Sequence, residues 1–151
     1  MRKFESVDEV LDFAVSNEIS AQKFYLALAD RMDRPTMKEV FCEFAAEEKR
    51  HEETLLRVKQ GHQLEAAADK VRDLRIGDYL VEADAGPAMS YQEALILAIK
   101  REQASMILYS DLASSTEDRQ VRRLFEGLAQ EEAKHKLRFE TEYDEHVFKE
   151  N

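Results

Sequence analysis

The chain has 151 residues, the size of one domain, and such a core stands without disulfides or structural zinc. Its formal net charge of -10 argues against nucleic acid or an anionic membrane as partners, because phosphate recognition needs clustered Lys and Arg. A single cysteine, Cys42, allows neither an intrachain disulfide nor a CxxC metal pair, and no stretch approaches the roughly 18 apolar residues of a membrane span. The first residues carry no apolar signal core, so a cytoplasmic, reduced location is the expectation.

With 4 Gly and 2 Pro the chain has little material for hairpin turns, and long helices follow. The first predicted helix runs over about 7–32 and opens with Ser6 and Glu9 at capping-box spacing. The second runs over about 35–60. Pro35 suits its first turn, Thr36 and Glu39 offer a capping box, and Gly61 stops it. A crossover over about 61–89 follows, with a short helix over 64–74 and breaks at Gly77 and Gly86-Pro87. The third helix, about 90–114, starts with Ser90 and Glu93; the fourth, about 117–148, follows the polar turn Ser114-Ser115-Thr116-Glu117. Short turns within each pair make two antiparallel hairpins, and the long crossover lets the third helix start at the same end as the second, as in ferritin-like four-helix bundles. The fold class expected is therefore all-α, one domain over 1–151.

The two hairpins repeat at an offset of 84 residues, with 14 identities when 6–67 is laid on 90–151 without a gap. Glu18 falls on Glu102, Tyr25 on Tyr109, Phe41 on Phe125, Glu48 on Glu132 and His51 on His135. Steps of four and three trace the inward stripes. These read Leu11, Ala14, Glu18, Ala21, Tyr25; then Phe41, Phe44, Glu48, His51, Leu55. The second pair reads Leu95, Ala98, Glu102, Ser105, Tyr109; then Phe125, Leu128, Glu132, His135, Phe139, Glu142.

Each stripe thus carries a glutamate among apolar residues. Four ionised carboxylates in a core would repel and lose their hydration, so something positive belongs among them. No Lys or Arg lies on the stripes beside them. Glu48 with His51, and Glu132 with His135, stand three apart, which puts carboxylate and imidazole on one face a turn apart. One Glu from each of two helices and Glu-x-x-His from each of the other two is a known di-iron or di-manganese ligand pattern. Two divalent ions would balance four carboxylates, and mixed Glu/His ligation suits iron or manganese.

The motifs Glu18 with Tyr25, Glu47-Glu48-Lys49-Arg50-His51, Glu102 with Tyr109, and Glu131-Glu132-Ala133-Lys134-His135 resemble the rubrerythrin branch of the ferritin-like superfamily. The resemblance implies two iron ions per chain, with Glu48 and Glu132 bridging, Glu18 and His51 on one ion, and Glu102 and His135 on the other. It implies reaction with dioxygen or hydrogen peroxide, or oxidation of ferrous iron, and a homodimer. Two departures stand out. The single cysteine cannot build a rubredoxin domain, so the electron donor would be an external protein. Ser105 stands where that family carries an extra glutamate, which makes the ligand set more similar to the six-ligand centre of bacterioferritin; Lys49, in place of that protein's Met, speaks against haem. The alternatives are a ferroxidase, an iron-binding or storage protein, and a di-manganese catalase-like centre.

Tyr25 and Tyr109 are candidate catalytic residues, as donors of a hydrogen bond or an electron to the ligands, and equally suit core packing. Glu47 and Glu131 read as outer or surface residues. His62 and His146 lie about 16 Å beyond the ligand histidines and read as residues at the ends of the helices. Cys42 reads as a small packed side chain.

Overall fold

The computed structural model describes residues 2–81 and 89–146, and they form two helical hairpins. The first hairpin pairs α1 (Val7–Arg31) with α2 (Pro35–Gln60), which pack along their lengths. Ser6 starts α1 as read from the sequence, its hydroxyl accepting from the Glu9 N–H at 3.0 Å. The expected box at Thr36 and Glu39 does not form. The residue before α2 is Arg34, whose side chain makes no capping bond, and Pro35 is the first helical residue. Proline's fixed φ opens the helix there, so Thr36 already lies inside the first turn. Gly61 ends α2 at φ -85, and the left-handed residue is His62 at φ 52. What Gly61 supplies is room, since a Cβ there would meet the Arg57 carbonyl oxygen at 3.2 Å.

The first hairpin's core is Val10, Leu11, Ala14 and Leu28 from α1 with Met37, Phe41, Ala45, Leu55 and Val58 from α2. Phe44, expected inward, is half-buried, and Ala45 takes the fully buried place beside it. Tyr25 stacks on Phe41 with ring centroids 6.4 Å apart. An ion pair between Lys59 and Asp12 at 2.6 Å ties the far ends. In place of one helix over 64–74, the chain makes a 3-10 turn, Glu65–Ala67, and the short α3, Ala68–Arg72, anchored by buried Leu64 and Val71.

The second hairpin pairs α4 (Tyr91–Ser115) with α5 (Arg119–His146). Ser90 caps α4: its hydroxyl accepts from the Glu93 N–H at 3.1 Å and donates to the Glu93 carboxylate at 3.1 Å. Helix α5 starts two residues later than expected because Asp118 is its cap, accepting from the N–H groups of Gln120 and Val121 at 2.9 and 3.1 Å. Arg122 folds back onto the Thr116 carbonyl at 2.8 Å and fixes the turn. Leu95, Leu108, Leu112, Phe125 and Phe139 are fully buried. Before α4, Gly77 sits within a 3-10 turn, Ile76–Asp78, rather than at a break. Buried Tyr79 follows and donates its hydroxyl to Asp111 of α4 at 2.7 Å. Gly86-Pro87 and the stretch of the fourth helix after His146 lie outside the described residues.

Candidate metal centre

Each hairpin brings one predicted triad together. In the first, α1 carries Glu18 and α2 carries Glu48 and His51, and their ligand atoms lie within 4.8 Å of one another. His51 Nδ1 stands 3.6 Å from Glu18 Oε2 and 3.6 Å from Glu48 Oε1. In the second hairpin, Glu102 of α4 joins Glu132 and His135 of α5 within the same limit. His135 Nδ1 is 3.7 Å from Glu102 Oε1. The same nitrogen atom of each imidazole faces its carboxylates, as the repeat demands.

These separations exceed hydrogen-bond length. Two ligands about 2.1 Å from one ion, at angles of about 90° to 120°, stand roughly 3.0–3.6 Å apart, and the three imidazole–carboxylate separations lie at or just beyond the wide end of that range. All six residues are at most 2% exposed. Moving a carboxylate into a low-dielectric interior costs several kcal/mol even after relaxation. Four such side chains in 151 residues are an outlay that apolar packing at the same positions would avoid. The donor set of hard carboxylate oxygens with one imidazole per triad fits iron or manganese.

The remaining predicted residues divide. Tyr25 and Tyr109 sit two turns beyond Glu18 and Glu102 and are each 1% exposed. Tyr25 packs against Phe41 and edge-on to Phe44; Tyr109 packs against Phe125 at 6.2 Å. Glu131 is exposed, and Glu47 faces out to Arg50 at 3.7 Å. His62 leaves the inward face altogether: its positive φ ends the helical register, and the side chain pairs with Glu65 at 2.7 Å in solvent. His146 is half-exposed beside Glu142. Cys42 is exposed rather than packed, since the residue after Phe41 points to the outer face of α2.

Two hydrogen-bonded pairs lie outside the predicted site residues: one borders the first triad, and the other joins Glu142, an inward-stripe position, to Tyr91 of α4. Gln22, one turn after Glu18, donates to Glu52 at 2.9 Å, next to His51. Glu142, at the end of the second hairpin's inward stripe, is 1% exposed and accepts the Tyr91 hydroxyl hydrogen bond. The repeat held the signal for the second pair. Laid back by 84 residues, Tyr91 and Glu142 fall on Val7 and Val58, both buried.

The fold is all-helical and ferritin-like among the described residues. A solved structure from Thermotoga maritima, described as a ferritin-like diiron-carboxylate protein, matches with a TM-score of 0.80 at 21% identity, over 96% of this chain and 99% of that one. Residues 9–143 match the rubrerythrin family, and the chain belongs to it. A comparison with curated proteins finds no match.

Proposed function

We propose that the chain is a di-iron oxidoreductase of the rubrerythrin type, reducing hydrogen peroxide or dioxygen with electrons from a separate donor protein. One observation carries this reading: a buried Glu plus Glu-x-x-His triad recurs in each hairpin of a rubrerythrin-family chain, with the same imidazole atom turned to the carboxylates. In this reading Glu18, Glu48 and His51 would hold one ion and Glu102, Glu132 and His135 the other. Four carboxylates neutralise two divalent ions, so the loaded site buries no net charge.

Iron held there would supply the electrons that reduce the oxidant. The residues do the rest. The carboxylates and imidazoles hold the donor atoms at fixed spacing on rigid helices, so little reorganises on oxidation. Burial to 2% or less keeps bulk water from the ligands. In this reading Tyr25 and Tyr109, buried on the same stripes as Glu18 and Glu102, would steady a ligand or lend an electron.

A ferroxidase is the second reading, favoured by Ser105. This half-buried hydroxyl stands where rubrerythrin's third ligand helix carries an additional carboxylate, and the set is thereby held to six ligands. Anaerobic loading with ferrous iron, followed by peroxide or dioxygen in separate runs, distinguishes the two. Donor-dependent turnover of peroxide supports the peroxidase. Rapid dioxygen-driven oxidation with release of ferric iron supports the ferroxidase. Failure to bind about two irons per chain, the number the pattern holds, removes both. No described helix is long and apolar enough to cross a membrane.

A further inference from the structure

Tyr91, the first residue of α4, donates its hydroxyl hydrogen to Glu142 Oε2 near the end of α5. Tyr91 is half-buried and Glu142 is 1% exposed. The other oxygen of Glu142 faces His146 Nε2 at 3.5 Å, and His146 is 42% exposed, so the carboxylate connects to solvent through an imidazole. Alongside, Gln92 donates to the Tyr143 hydroxyl at 3.3 Å. At the equivalent places the first hairpin has Val7 and Val58. Both members of an apolar pair are thus a hydrogen-bonded phenol and carboxylate in the second hairpin. Burying a carboxylate costs stability that a valine pair does not.

We propose that Tyr91 is a redox relay: a tyrosine oxidised by one electron while its proton passes to Glu142. A phenol that already donates to a buried carboxylate loses its proton along that hydrogen bond as the electron leaves, which avoids a phenol radical cation. In the step, the Tyr91 O–H bond breaks and an O–H bond forms on Glu142 Oε2. The electron goes to a one-electron oxidant, which is the peroxide-treated metal centre if the proposed function holds. An external one-electron donor then reduces the phenoxyl, and the proton returns from Glu142.

Two other uses of the cluster fit less well. A proton path to the triad would need continuous polar groups, but Phe139, fully buried, stands between Glu142 and His135 on the α5 face. An electron needs no such chain, and Glu142 lies about 10 Å along the helix from His135. A cation site would compete with the phenol for Glu142, one of whose oxygens already accepts it.

The test is independent of iron. The metal-free chain is irradiated with a ruthenium tris-bipyridine sensitiser and an electron acceptor, and phenoxyl is followed by absorption and EPR. The expected result is a neutral tyrosyl signal lost in Tyr91→Phe, reduced in yield in Glu142→Gln, and retained in Tyr143→Phe. A full signal in Tyr91→Phe, or a Glu142→Gln yield equal to that of the parent, overturns the relay. Should either variant fail to fold, fluorotyrosine placed at 91 in the otherwise native chain decides by the presence or absence of fluorine splitting. The relay rests on the di-iron reading only for its natural oxidant, and the outcomes separate. A chain that binds no iron yet forms the Tyr91 radical under light overturns the proposed function and supports the relay. A chain that binds and oxidises iron but forms no Tyr91 radical in light or with peroxide overturns the relay alone.

Discussion

The two hairpins are copies that agree at their triads and differ around them. Glu18, Glu48 and His51 recur as Glu102, Glu132 and His135, and Tyr25 and Phe41 recur as Tyr109 and Phe125. Around them the copies have separated. Gln22 and Glu52 at the edge of one triad correspond to Met106 and Lys136 at the other, and Lys136 pairs instead with Glu140 at 3.1 Å. Ser6 and Ser90 cap their helices alike, whereas α5 has Asp118 as cap and α2 has no side-chain cap. A core apolar position accepts any side chain of suitable volume. A buried carboxylate is retained only where a ligand or a specific partner offsets its desolvation. The identities of the repeat therefore mark chemistry more sharply than they mark packing.

The largest effect tests whether the triads are equal halves of one function. Glu48→Ala and Glu132→Ala are each expected to weaken iron binding by more than the roughly 10–100-fold that loss of an outer partner costs. Titration of ferrous iron into the metal-free chain under anaerobic conditions measures it. Equal losses in the two variants support equivalence, and a silent Glu132→Ala would confine the metal to the first hairpin.

Next comes the place where the copies diverge most. Tyr91→Phe leaves Glu142 buried without the phenol's hydrogen bond and should cost about 1.5–3 kcal/mol in urea unfolding of the metal-free chain. Restoring the first hairpin's pair, with Tyr91→Val and Glu142→Val together, should recover that loss and add about 1–4 kcal/mol. If the double variant were no more stable than the single one, the polar pair would have no stability cost to explain.

A smaller effect concerns Tyr79, which has no counterpart in the first repeat. Burial, with help from the hydrogen bond to Asp111, pushes its phenol well above the ordinary tyrosine range. Tyr79→Phe should cost about 1 kcal/mol at neutral pH. The unfolded chain releases this proton near pH 10, before the folded chain does, so the parent's advantage is complete below that pH and declines as pH rises further. Paired unfolding curves at neutral and alkaline pH check the sign.

The smallest changes lie at the caps. Ser6→Ala and Ser90→Ala should each cost about 1 kcal/mol, and Arg34→Ser should gain a few tenths to 1 kcal/mol by giving α2 the cap it lacks. Thermal unfolding of the three variants ranks them.

Much of this architecture was readable before any coordinates. The four long predicted helices end within two residues of those observed wherever they are described, because periodic apolar stripes and capping serines are local signals. The six candidate ligands were found by a contradiction internal to the sequence: acidic residues on faces that must be buried. What failed was also local in origin. Thr36 and Glu39 had the spacing of a cap, but Pro35 opened the helix before them. His62 continued the stripe by count, yet the chain had already turned left-handed at that residue. The residue type of Cys42 suits packing, but its angle around α2 points it outward.

By itself the sequence determined that the chain is helical, that it is built from a duplicated hairpin, and which carboxylates and imidazoles are driven inside, since periodicity and the cost of burying charge act residue by residue. The folded structure alone decided that the two imidazoles present the same nitrogen to carboxylates 3.6 and 3.7 Å away, and that Tyr91 meets Glu142. Those facts depend on how side chains from different helices meet in space, and residues 51 positions apart in Tyr91 and Glu142 carry no local signal of their contact.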